Sequence, residues 1–72
     1  MSFATETEKR WVWDRQQVRL VQKIRVVVSL VGNHGSVYGE AGPLFVETVP
    51  ELFEATQLLR ERLIRTLPSG VQ

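Results

Sequence analysis

Hydrophobic and polar positions fall into two regimes that change near residue 48. From residue 18 to residue 31 they alternate, with Val18, Leu20, Ile24, Val26, Val28 and Leu30 on one face and Arg19, Val21, Lys23, Arg25, Val27, Ser29 and Val31 on the other. A period of two predicts a strand. Strands usually run about 3–10 residues, so a pattern this long predicts a bend or bulge at its polar break, Gln22. Upstream, WVW at 11–13 consists of strand-forming types, and the polar DRQQ after it predicts a hairpin loop. Downstream, GNHG at 32–35 predicts a turn and SVYGE the returning strand, before Gly39, Gly42 and Pro43 interrupt the chain ahead of LFVE. Residues 1–8 are small, polar and aperiodic, and predict a flexible N-terminal tail.

From residue 48 the period becomes helical. Leu59, Leu52, Leu63, Thr56, Val49, Leu67, Phe53 and Ile64 project into an arc of roughly 140°, the width of a core-facing stripe. Thr48 followed three residues later by Glu51 forms a capping box, which satisfies N–H groups that the first helical turn leaves unpaired. Pro50 falls in that first turn, where its missing N–H is harmless, and Pro68, Ser69 and Gly70 stop the helix. The expected fold is therefore α+β, an antiparallel sheet of three or four strands covered on one face by a single C-terminal amphipathic helix, residues 48–67. The even-numbered face of the long strand, with Leu44 and Val46, meets the helix. Residues 9–68 form the domain and residues 69–72 a frayed end. A helix over residues 9–25, with Trp13, Gln17, Leu20 and Ile24 on one face, is the competing reading. The absence of alanine and the β-branched residues there weigh against it.

Length and composition narrow the picture. Seventy-two residues make one domain, and a chain near that size buries only about 60% of its unfolded surface, which invites dimerisation. The absence of cysteine removes disulfides and thiolate chemistry and fits a reducing compartment. MSFATETEK lacks the basic start and apolar core of a signal peptide, and no apolar run approaches the roughly 18 residues of a membrane span. These features predict a cytoplasmic protein without a membrane partner. The net charge of +1 conceals an asymmetry. Lys9, Arg10, Arg15, Arg19, Lys23 and Arg25 against Asp14 give residues 9–25 six minus one, or +5, and the segments on either side are each −2.

Candidate chemistry is sparse. The single histidine, His34, sits in a glycine-flanked turn with no nucleophile tied to it, and no spacing matches a zinc motif. Gly32, Gly35, Gly39 and Gly42 match neither a dinucleotide fingerprint nor a P-loop. The sequence thus offers no catalytic residues, metal or cofactor. Its most suggestive feature is a set of cations near aromatic rings. Arg19, Lys23 and Arg25 point away from the helix, with Trp11 and Trp13 on a nearby strand. Arg60 is the odd charge within the helix stripe, either snorkelling past the sheet or meeting a partner. Trp and Arg dominate protein interfaces, and the same pair serves single-stranded nucleic acids. The leading expectation is a small non-enzymatic regulator or inhibitor that binds another protein through Trp11, Trp13, Arg19, Lys23, Arg25 and Arg60. Nucleic-acid binding through the basic, Trp-bearing face is the alternative.

The strand, T-x-P-E cap and helix at 44–59 resemble a unit of HicB-type antitoxins and of several small phage-encoded enzyme inhibitors. The likeness covers about a fifth of the chain, and implies a small regulatory binder. A homodimer is also expected. The helix spans about 28 Å and the 18–31 pattern roughly 46 Å if straight, so part of the strand outruns its cover. That reading places the dimer contact at a sheet edge around residues 26–31, with Val27 and Val31 in it.

Overall fold

The structure, a computed structural model, describes residues 2–66. Three strands, β1 (Ser2–Asp14), β2 (Arg19–Val31) and β3 (Val37–Val46), precede one helix, α1 (Val49–Thr66). They form an antiparallel sheet in the order β1-β2-β3, and α1 lies on β2 and β3. The α+β architecture expected from the sequence is what forms, with three strands. Residues 9–25, where a helix competed, are strand and turn. Leu67 and the stop signals Pro68, Ser69 and Gly70, with the expected fraying of 69–72, lie outside the described residues.

The N-terminal segment departs from expectation. Residues 2–8 are the first half of β1 rather than a tail, paired with β2 from Ser2↔Val31 to Glu8↔Arg25. The strand signal in SFATETE is weak, limited to Phe3, Thr5 and Thr7 at alternate positions among small and acidic residues. Pairing with the most strand-prone stretch of the chain imposes it, and Phe3, opposite Leu30, packs against the core. The bulge expected at Gln22 is also absent, because β1 and β2 are both 13 residues long and pair in one unbroken register down to Asp14↔Arg19. Irregularity falls on β3 instead. Between Val26↔Leu44 and Val28↔Ala41, and again between Leu30↔Gly39 and Val31↔Val37, β3 carries one residue more than β2. The glycines and proline that looked like a break are thus bulges within one strand. A sheet edge around 26–31 does not exist either: β2 is the central strand, bonded on both sides, and Val27 is buried.

The loops follow their sequence signals. Asp14 Oδ1 accepts from the Gln16 and Gln17 backbone N–H groups at 2.9 and 3.2 Å, closing the loop at residues 15–18. At 32–35, the Gly32 N–H donates to Ser36 O at 2.7 Å and Gly35 takes a φ of +77°. Val18 has a φ of +52° with its side chain in water. A β-branched residue in that region is strained by roughly 1–2 kcal/mol. Val18→Gly should therefore raise stability by about 1 kcal/mol in urea unfolding, with no change in helix content.

The helix cap forms as expected, with one difference. Thr48 Oγ1 accepts from the Glu51 N–H at 3.3 Å, while Glu51 Oε2 accepts from the N–H of Glu47 rather than of Thr48, at 3.2 Å. Leu52 completes the first turn by donating to Thr48 O at 3.0 Å. The buried stripe is Ala55, Leu59 and Leu63, flanked by Leu52. Val49, Phe53 and Ile64, expected in the core, are exposed. Leu63 Cδ2 and Leu59 Cδ1 lie 3.2 and 3.5 Å from where Cβ atoms on Gly39 and Gly42 would stand. The glycines of β3 lower the floor on that side, and the small Ala55 lets the helix settle there. α1 is thereby shifted off β1. This offset shapes the rest of the molecule.

Candidate functional site: the hairpin arm and the uncovered face of β1

β3 ends at Val46, opposite Ile24. Beyond that point β1 and β2 continue without a third strand, from Arg10↔Lys23 to Asp14↔Arg19. The result is a two-stranded arm on a molecule measuring 47 × 21 × 19 Å. In an antiparallel pair, opposed residues share a face. Trp13 opposes Leu20 and Trp11 opposes Gln22, on the face that carries Ile24, Val26, Val28 and Leu30. Trp11 is 67% exposed, Trp13 55% and Leu20 58%. Two large rings in water on a ribbon of only two strands are costly unless something covers them.

Nearer the helix, the same face of β1 continues as Lys9, Thr7, Thr5 and Phe3. Because α1 sits over β2 and β3, a groove of about 380 Å³ remains between β1 and the helix. Thr5 and Thr7 line one side and Leu52, Phe53, Gln57 and Arg60 the other. Phe53 is 70% exposed at its rim. The Arg60 guanidinium stands 5.5 Å from the centroid of the Phe3 ring, a cation–π contact worth about 0.5–1 kcal/mol at an exposed site. Arg60 therefore bridges the groove towards β1 rather than crossing the core.

The two free edges differ. β3 presents two bulges, Gly39, Gly42 and Pro43, which resist strand addition. β1 presents 13 residues in continuous register, with no glycine, proline or bulge.

The cations occupy the opposite face from the tryptophans. Arg19, Lys23 and Arg25 share their side with Glu6, Glu8, Arg10 and Asp14 of β1 and Glu40 of β3. Four cations against four anions leave that face neutral. Arg25 opposes Glu8 in the register, and the Lys23 ammonium is 3.8 Å from Glu47 Oε1. Arg19 Nε donates to Gln17 Oε1 at 2.6 Å, and Arg10 pairs with Glu8 at 3.2 Å. Of the candidates Trp11, Trp13, Arg19, Lys23, Arg25 and Arg60, the fold groups the two tryptophans and Arg60 on the helix side and the other three behind the sheet. Leu20, Phe53 and the β1 edge were not singled out from sequence. Their one visible signal is the mismatch between a long strand and a shorter helix.

His34 is exposed in its turn. Among the described residues there is no group of three His, Cys, Asp or Glu side chains that could hold a metal ion, and no helix is long and apolar enough to cross a membrane. No protein-family model, curated protein or solved structure matches this chain.

Proposed function

We propose that this chain is a small non-enzymatic binding protein of regulator or inhibitor type, which works by protein–protein contact through the arm and the uncovered face and edge of β1. The observation that carries the reading is the exposure of Trp11, Trp13 and Leu20 on one face of a projecting hairpin, beside an unblocked edge. An extended partner segment can add to β1 as a fourth strand, its main chain meeting the free edge and alternate side chains entering the groove. Trp and Arg supply the anchoring contacts of such interfaces, and here both kinds lie on the helix side of the sheet, the tryptophans on the arm and Arg60 at the groove.

Nucleic-acid binding receives less support. Phosphate contact requires free cations in excess, and the face that holds Arg19, Lys23 and Arg25 is balanced by carboxylates.

Affinity capture with immobilised protein, compared with the Trp11→Lys/Trp13→Lys variant, tests the reading. The expected result is a stoichiometric protein partner on the parent chain, reduced at least tenfold on the variant, with the variant's helix content unchanged. Equal capture by both chains, or capture of nucleic acid alone, contradicts it.

A further inference from the structure

The β1 edge has a property that a generic docking edge lacks: it is complementary to itself. Two antiparallel β1 strands related by a two-fold axis keep both helices on one side of the joined sheet, so only residues of equal parity can oppose each other. With the axis at Glu8, the whole of Ser2–Asp14 finds a counterpart. On the outer face, Glu6 of each copy opposes Arg10 of the other, Ala4 opposes Val12 and Ser2 opposes Asp14. On the helix face, Phe3 opposes Trp13, Thr5 opposes Trp11 and Thr7 opposes Lys9. One like-charged pair remains, Glu8 with Glu8, and each of these carboxylates already has Arg10 at 3.2 Å and Arg25 opposite it in β2. The neighbouring registers are worse. An axis at Thr7 sets Glu6 against Glu8 twice, and an axis at Lys9, although it opposes Glu8 to Arg10 twice, sets Lys9 against Lys9 and Ala4 against Asp14 and leaves Phe3 without a counterpart. The charges along β1 thus disfavour the Thr7 register, and full overlap of the strands with a ring opposite Phe3 favours Glu8 over Lys9.

We propose that a second copy of this chain occupies the β1 edge, paired antiparallel about Glu8, so that two three-stranded sheets become one of six strands. The tryptophans of each copy then close the groove of the other. Trp13 comes beside the Phe3 ring over which Arg60 stands, and Trp11 beside Thr5 on the groove wall. Each groove is half a site, completed by rings from the other subunit. Rings of about 150–250 Å² each, more than half exposed before pairing, supply roughly 350–600 Å² from the four tryptophans. The joined strands add to this towards the about 1,000 Å² expected of a specific interface. This proposal rests on the reading of β1 as a protein-binding surface and names its occupant.

The natural absence of cysteine makes the test clean. Opposed residues in an antiparallel pair lie about 4.5–5.5 Å apart at Cα, within disulfide range. Glu8→Cys should oxidise to a covalent dimer in most molecules, whereas Ala4→Cys, whose two copies lie roughly 25 Å apart in this alignment, should not. Light scattering of the parent chain should give twice 8.3 kDa. Arg10→Glu should return it to monomer at the same concentration, and Glu6→Arg/Arg10→Glu should restore the dimer, each with unchanged helix content. A monomeric parent chain, equal cross-linking at positions 4 and 8, or a double variant no more dimeric than Arg10→Glu overturns the proposal. A monomeric parent that still captures a tryptophan-dependent protein partner overturns the self-pairing alone. Loss of capture as well removes the wider reading.

Discussion

Gly42→Ala should lower stability by about 2–4 kcal/mol, the largest effect expected of so small a change in this chain. Gly42 has a φ of +119°, a region L-residues rarely enter, and an added Cβ would lie 2.8 Å from the Val26 carbonyl oxygen and 3.3 Å from the Val27 Cα. Both obstacles are backbone of the central strand, which cannot step aside as a flexible side chain could. A domain of this length has about 4–11 kcal/mol in total at about 0.05–0.15 kcal/mol per residue. At about 4–8 °C per kcal/mol, the melting temperature should fall by roughly 8–32 °C. Gly35→Ala is the matched control. Its φ is +77°, but nothing lies within 4 Å of the added carbon, so only the conformational cost of about 1 kcal/mol remains. Equal losses at the two sites would show that the close approach of β3 to β2 is not what requires Gly42.

Leu59→Ala should cost about 3–4 kcal/mol, measured by urea unfolding. Leu59 is fully buried at the centre of the cluster formed by Val26, Val28, Leu30, Val46, Ala55 and Leu63. The floor beneath it is strand backbone at Gly42, so the void left by truncation has little side chain to refill it. Leu58, its neighbour in sequence, is exposed, and Leu58→Ala should change stability by less than about 0.5 kcal/mol. The pair separates the face the helix buries from the face it shows to water.

What could be read from the sequence divides along the range of the interactions involved. The helix, its Thr48 and Glu51 cap, the Asp14 loop and the GNHG turn are set by neighbours within four residues, and each appears where the local pattern puts it. The even-numbered face of β2 also meets the helix, from Ile24 to Leu30. β1 was only half legible, because Ala4 to Glu8 carry no apolar alternation, only the threonines Thr5 and Thr7, and become strand by pairing with β2. The roll of the helix was hidden for a similar reason. Gly39 and Gly42 draw it towards β3, which brings in Ala55 and leaves Phe53 and Ile64 outside.

The candidate site was legible as residues and not as a surface. Which face Trp11 and Trp13 occupy follows from the four-residue loop at 15–18, which opposes odd positions of β1 to even positions of β2. One residue more or less would have put the tryptophans beside Arg19, Lys23 and Arg25. No local property of WVW encodes that choice. The carboxylates that neutralise the cations are equally remote in sequence, since Glu6 and Glu8 come from the segment read as a tail.

The central claim, that the arm is a contact surface and not misplaced core, is tested most directly by the fluorescence of the chain's two tryptophans, both of which lie on the arm. In dilute protein their emission should be that of water-exposed indole and be quenched readily by acrylamide. In the concentrated or partner-bound protein it should shift to the blue and resist the quencher, with the far-ultraviolet circular dichroism unchanged. Emission that is shielded at every dilution, or exposed at every concentration and in every captured complex, would contradict the account.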